Sequence, residues 1–251
     1  MVTHKFREVL TMLPKPVVDY RRFRLNRLNT PEFSHLKLLI FWPVYSSLFF
    51  MLEHNVFGDT YTPVEIGLDS MIPFCEWFLI PYVGWFFFLL GIHIYTLLYD
   101  IPSFKRLIAF MTITYFGTIL IYLIFPTCQN LRPESFERDN IFTRYLAGYY
   151  DYDSNTNVCP SIHVAGSWAV VCGAWKSRHF SKPWWRVAFV LVAVSITLST
   201  CFVKQHSALD TIVAIPLMVL GWYVAMGIGK EEAPAPAKVS KKKKKVYSMS
   251  N

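Results

Sequence analysis

The hydrophobic residues of this chain fall into long blocks separated by short polar stretches, and that segmentation constrains the fold more than any single motif. Six blocks stand out, at 37–54, 77–98, 107–125, 161–178, 184–203 and 207–229. Each is near the ~20 residues a helix needs to cross a bilayer core of about 30 Å. With 53% hydrophobic and 17% aromatic residues, the composition is too apolar for an ordinary soluble domain. The expected fold is all-α: a polytopic membrane protein built as a six-helix bundle over 37–229. A basic arm (1–36) precedes it and a Lys-rich tail (230–251) follows, the tail having too little apolar content to fold. The fourth block is rich in small residues (Ala165, Gly166, Ser167, Ala169, Gly173, Ala174), which suits a helix packed closely among others. The first 36 residues have no apolar core, so no cleavable signal peptide is read there.

The net charge of +8 raises the possibility of a nucleic-acid partner, but its distribution points to topology instead. With six spans and a cytoplasmic amino terminus, eight Lys and Arg fall in residues 1–37. Lys105 and Arg106 follow in the next inner loop, then Lys176, Arg178, Lys182 and Arg186, and seven more after Gly229. Only Arg132, Arg138, Arg144 and Lys204 of the 25 fall on the other side. This satisfies the positive-inside rule and predicts a cell-membrane protein with both termini cytoplasmic. No nucleic acid is expected as a partner. Anionic lipid at the basic termini is a possible one, and the run Tyr20–Arg27 has the mixed character of an interfacial helix. Acidic residues crowd the first outer loop (Glu53, Asp59, Glu65, Asp69, Glu76). The segment Asp69–Phe74 is expected to lie along the outer interface.

The remaining long stretch, 126–160, is an outer loop too large to be idle and reads as a lid or binding element. Of five cysteines, Cys75, Cys128, Cys159 and Cys201 fall near the outer face. A Cys128–Cys159 bridge and free buried thiols are both open. His54, His93 and His179 are read as structural.

Chemistry concentrates where the fifth block gives way to the sixth, in Lys204-Gln205-His206-Ser207-Ala208-Leu209-Asp210. His206 and Asp210 are four residues apart, one turn on a helix. An aspartate inside an apolar span costs roughly 2.5–3.5 kcal/mol on insertion scales, which marks it as functional. Cys159-Pro160-Ser161-Ile162-His163 puts a second histidine at the start of the fourth block, and Arg132-Pro133 follows the third. All three runs fall on the outer side, from different hairpins, so they can share one site.

These runs resemble the three motifs of the type-2 phosphatidic acid phosphatase superfamily, which also contains vanadium haloperoxidases: Lys-x6-Arg-Pro, Pro-Ser-Gly-His and Ser-Arg-x5-His-x3-Asp. Arg132-Pro133 matches the end of the first, and Pro160-Ser161-Ile162-His163 the second with Ile for Gly. Ser199, His206 and Asp210 match the third at the right spacing. Phe125 and Thr200 stand where the family has its other two cations, and Lys204 is the candidate to replace them. The reduced first motif, Asn157, and the Lys-Gln-His run are similar to the branch containing inositol phosphorylceramide synthases.

The resemblance implies phosphoryl transfer without a cofactor or metal, on a membrane lipid phosphate. His206 would attack phosphorus to form a phosphohistidine, Asp210 would orient it, and His163 would protonate the leaving alkoxide. Arg132, Lys204 and Ser161, with the amides opening the fourth helix, would hold the phosphate oxygens. Hydrolysis by a lipid phosphate phosphatase is the first expectation. Head-group transfer to a lipid hydroxyl is the second, and a non-catalytic lipid-binding protein on the same fold is the third. A transporter is disfavoured by the near absence of mid-membrane charge.

Overall fold

A computed structural model describes residues 15–54 and 57–228. Within them the regular structure is almost all helix. The tail from 229 onward and the first 14 residues, and with them the reading of a Lys-rich disordered tail, lie outside the described residues. The helices are α1 (Phe41–Glu53), α2 (Gly67–Met71), α3 (Leu79–Tyr99), α4 (Ile101–Ile124), α5 (Ile141–Tyr152), α6 (Ile162–Ala174), α7 (Pro183–Phe202) and α8 (Ala208–Gly227). Strand pairing is minimal: β1 (Thr62–Pro63) lies parallel to β2 (Thr127–Cys128), and Cys128 also bridges Thr156.

Five helical stretches are long and apolar enough to cross a membrane: Ser34–Glu53, Glu76–Tyr99, Ile101–Ile124, Pro183–Phe202 and Ala208–Gly227. Their outward faces expose residues such as Phe87, Leu191 and Val219, as lipid contact requires. The third starts six residues before the expected 107. Asp100 caps it, accepting from the Ser103 N–H at 3.1 Å, and Pro102 sits in its first turn, so Lys105 and Arg106 are drawn into the helix.

The fourth expected span is different. α6 has 13 residues, about 20 Å of helix, too short to cross alone. Ten of the 13 are buried, because its small residues let α3, α4 and α7 close around it. Gly166 shows the tightness: a Cβ there would lie 2.4 Å from the Tyr115 hydroxyl and 2.8 Å from Trp85 Nε1. At one end of α6 the Ser161 N–H donates to the Asp210 carbonyl (3.2 Å), and just past the other the Ser177 hydroxyl donates to Asp100.

The two ends of the bundle are built differently. At the end holding Asp100, residues 15–40 pack as turns and short 3₁₀ segments, not as one interfacial helix. Tyr20 donates its hydroxyl to the Leu97 carbonyl (2.6 Å), and the Val17 N–H donates to that of Leu98 (2.9 Å). At the other end the connections form a cap. The Thr62 and Val64 amides bond the Pro126 and Cys128 carbonyls, and α5, a helix inside the expected loop 126–160, packs over the ends of α3 and α7 through Leu146. The Asp69–Phe74 segment is part of this cap, with Asp69 turned inward at 3% exposure and Met71 outward at 77%. All five cysteines are free thiols, so Cys128 and Cys159 are not bridged.

Candidate active site

The connector between α7 and α8 is only five residues long, and two helix-end motifs fix its path. The Lys204 N–H donates to Cys201 O (3.1 Å) and the Gln205 N–H to Thr200 O (3.0 Å), a Schellman ending with Lys204 in the left-handed region at φ 54°. Glycine usually holds that position, and a lysine there costs about 1 kcal/mol. The turn sends the Lys204 side chain away from the histidines, and its ammonium donates to the Asp69 (3.0 Å) and Ile72 carbonyls. The expected phosphate cation is therefore a strut between the connector and α2.

Immediately after, Ser207 caps α8 in a capping box: the Ser207 N–H donates back to Asp210 Oδ2 (3.1 Å). His206 thus precedes the helix instead of riding on its face. The same Asp210 oxygen accepts from His206 Nδ1 at 2.8 Å, so the capping geometry, more than helical stacking, joins the pair. Asp69, which sequence reasoning had assigned only to an interfacial segment, fastens the turn. Its carboxylate accepts from the Ser207 hydroxyl (2.6 Å), the Ala208 N–H (2.7 Å) and the Ile66 N–H (2.8 Å).

His163 opens α6 and meets His206: His206 Nε2 lies 3.3 Å from His163 Nδ1. Its ring stacks on Tyr82 at 4.7 Å and tilts against Trp85 at 4.4 Å, which fixes its plane. The proton order follows from Asp210. A carboxylate already accepting from Ser207 accepts again from His206, so Nδ1 of His206 carries its hydrogen and Nε2 presents a lone pair. His163 must then donate through Nδ1. The relay Asp210–His206–His163 ends at a cavity of about 190 Å³ walled by both histidines.

Ser161 and Arg132 are close by but turned to other work. Ser161 is fully buried, caps α6 by accepting from the Val164 N–H (3.4 Å), and does not line the cavity. Arg132 donates to the carbonyls of Tyr150 (2.9 Å), Asp153 (2.8 Å) and Ser154 (2.8 Å), and lies 4.9 Å over the Tyr150 ring. Its remaining bond, at 2.7 Å, goes to Gln205 Oε1. The guanidinium thus staples the end of α5 to the connector. Of the six expected site residues, His163, His206 and Asp210 come together as a unit, whereas Arg132, Lys204 and Ser161 brace the walls.

Two residues that sequence reasoning did not assign to the site face the cavity instead. Because Arg132 can only donate, Gln205 must present its oxygen to it, leaving Nε2 at the cavity wall without an acceptor among the described residues. Asn157 is 5% exposed and lines the same cavity, yet neither atom of its amide has a partner among the described residues. Its left-handed backbone (φ 51°) is held by its N–H donating to Thr127 O at 2.6 Å. Leaving such buried polar groups unmatched costs roughly 1–3 kcal/mol each, so both amides have hydrogen-bonding capacity to offer at the cavity. No run of residue types signals this. The amides reach the cavity only because Arg132 and β2 hold their backbones.

His54, His93 and His179 accept or donate locally, to Phe50, Leu89 and Tyr95, as structural histidines do. Comparison with family models, curated proteins and solved structures finds no significant match for this chain.

Proposed function

We propose that this chain is a membrane enzyme that breaks a lipid phosphate ester through a phosphohistidine at His206. The observation that carries the reading is the relay Asp210–His206–His163, which presents an unprotonated nitrogen and an N–H side by side at a cavity wall. His206 Nε2 attacks phosphorus as the His163–His206 contact opens to admit the substrate. His163 gives its Nδ1 proton to the departing alkoxide, then takes one from the incoming water. Asp210 holds the tautomer and stabilises the charge that develops on His206. The amides of Asn157 and Gln205 serve as donors to the phosphoryl oxygens, the role first expected of Arg132 and Lys204.

Hydrolysis is the leading reaction, and transfer to a lipid hydroxyl is the second reading. The apolar share of the cavity wall (Phe49, Trp85, Val158, Ile162) favours the latter, since exclusion of water protects a phosphohistidine for a lipid acceptor. The chemistry asks for no metal. The site would face the outer leaflet, a reading supported by the inward bias of Lys and Arg and by the packing of residues 17–20 at the opposite end of the bundle. Counting α6 as a sixth pass is supported by its contacts with Asp210 at one end and Asp100 near the other.

The test is turnover of detergent-solubilised lipid phosphates and phosphodiesters in chelator, by wild type and His206→Ala. Loss of turnover in the variant is expected. Equal turnover in both would end the proposal, and silence in both, with and without diacylglycerol or ceramide as acceptor, would favour the lipid-binding reading.

A further inference from the structure

The charge of the cavity wall does not suit the simplest substrate. Among the described residues no lysine or arginine lines it, and Arg132 just behind it is committed to three carbonyls and Gln205. Two carboxylates do line it: Glu53, at the end of α1, and Asp153, just after α5. Glu53 has one hydrogen bond, accepted from the Ser154 hydroxyl at 2.6 Å. The Asp153 carboxylate lies 3.8 Å from the Arg132 guanidinium, a long ion pair. A phosphate monoester dianion would therefore meet two like charges and neutral donors.

The wall carries two kinds of group. His206, His163 and the unmatched amides of Asn157 and Gln205 line it, and so do the two carboxylates and Tyr149. A carboxylate pair beside an aromatic ring holds an ammonium group through charge and ring quadrupole together. The unmatched amides, which are more than nine-tenths buried, independently show that the cavity is built to receive a polar group.

We infer that the substrate is a zwitterionic phosphodiester lipid, its phosphoryl group at His206 and its amino-alcohol head group between Glu53 and Asp153. This rests on the phosphohistidine reading and narrows it. Attack by His206 Nε2 forms an N–P bond and breaks the P–O bond to the lipid alcohol, whose oxygen takes the His163 proton. The amino-alcohol phosphate stays on His206 with its ammonium between the carboxylates. An acceptor hydroxyl then forms the new P–O bond, returns a proton to His163 and breaks the N–P bond. Burial pushes the Asp153 carboxyl above its ordinary range, Arg132 and His206 offset part of this, and Glu53 adds to it.

The experiment compares kcat/KM of the full-length protein on phosphatidylethanolamine, phosphatidylcholine, phosphatidylglycerol and phosphatidic acid, with His206→Ala as control. A preference of at least 10-fold for either zwitterionic lipid is expected, and the ratio of the two separates a primary from a quaternary ammonium. Glu53→Gln and Asp153→Asn should each narrow that preference at least 5-fold, chiefly through KM. A second readout needs no variant: soluble phosphocholine or phosphoethanolamine should inhibit the wild type more strongly than glycerol 3-phosphate. His206-dependent turnover that favours phosphatidic acid or phosphatidylglycerol would overturn the inference and leave the phosphohistidine standing. Turnover that survives His206→Ala, or no turnover of any of these lipids with and without diacylglycerol or ceramide as acceptor, would remove both.

Discussion

Two helices in this bundle begin with a carboxylate folded back onto the chain, and they have different consequences. At the start of α4, Asp100 accepts from the Ser103 N–H and the Ser177 hydroxyl. At the start of α8, Asp210 accepts from the Ser207 N–H and from His206. The capping physics is the same, a negative group satisfying orphan amides at the positive end of a helix dipole. What differs is the second partner. A serine hydroxyl neither gains nor loses a proton near neutral pH, so Asp100 ties two ends of a fold. An imidazole has a second nitrogen, and at His206 that nitrogen meets another histidine at a cavity. A carboxylate at a helix start is thus no sign of catalysis until its partner can pass a proton on.

The comparison predicts a graded set of effects. His206→Ala should lower turnover by at least 1,000-fold, the scale on which loss of a nucleophile acts, with little change in Tm. Asp210→Asn should cost roughly 100- to 10,000-fold in kcat by freeing the His206 tautomer. Asp100→Asn should leave kcat within about 2-fold and cost only stability, about 1 kcal/mol by denaturant or thermal unfolding. Equal losses of kcat in both aspartate variants would break the contrast.

Asp69→Ala should fall between them. It removes three hydrogen bonds behind the His206 turn without touching the cavity, so a loss of about 1–3 kcal/mol in stability is expected with a kcat effect of about 10-fold. The smallest effect belongs to pH. The Asp153 carboxyl is raised by burial, so its contribution to stability is full below the ordinary carboxylate range and is lost as pH climbs through the raised value. Asp153→Asn should therefore flatten the fall in Tm from about pH 4 upward, starting at the unfolded-state value of about 3.9.

The pairing of His206 with Asp210 was legible in the sequence, as a spacing of four beside an apolar block. The sequence misled on Lys204 and Arg132 for a physical reason. Charge type is visible in a sequence, but direction is not, and a left-handed Schellman residue turns Lys204 toward α2. Arg132 is likewise consumed by carbonyls whose positions depend on the path of 150–154. The shortness of α6 was foreshadowed by its small residues. α5 had a signal that went unread: Asn140 accepts from the Phe142 and Thr143 amides, and Thr143 bonds back to the Asn140 amide, ahead of an apolar face at Phe142, Leu146 and Tyr149. Asn157 and the Lys-Gln-His run carried part of the resemblance, but no site role for Asn157 or Gln205 was legible, since an unmatched amide is a property of the assembled walls.

The central claim is a covalent bond at one nitrogen. The direct measurement is rapid quench of the turning-over protein at alkaline pH, followed by peptide mass spectrometry across residues 187–230. An acid-labile phosphoryl adduct on His206, absent from His206→Ala and accumulating in His163→Ala as its breakdown slows, is the predicted result. Turnover with no adduct at His206, or an adduct on another side chain, would contradict it.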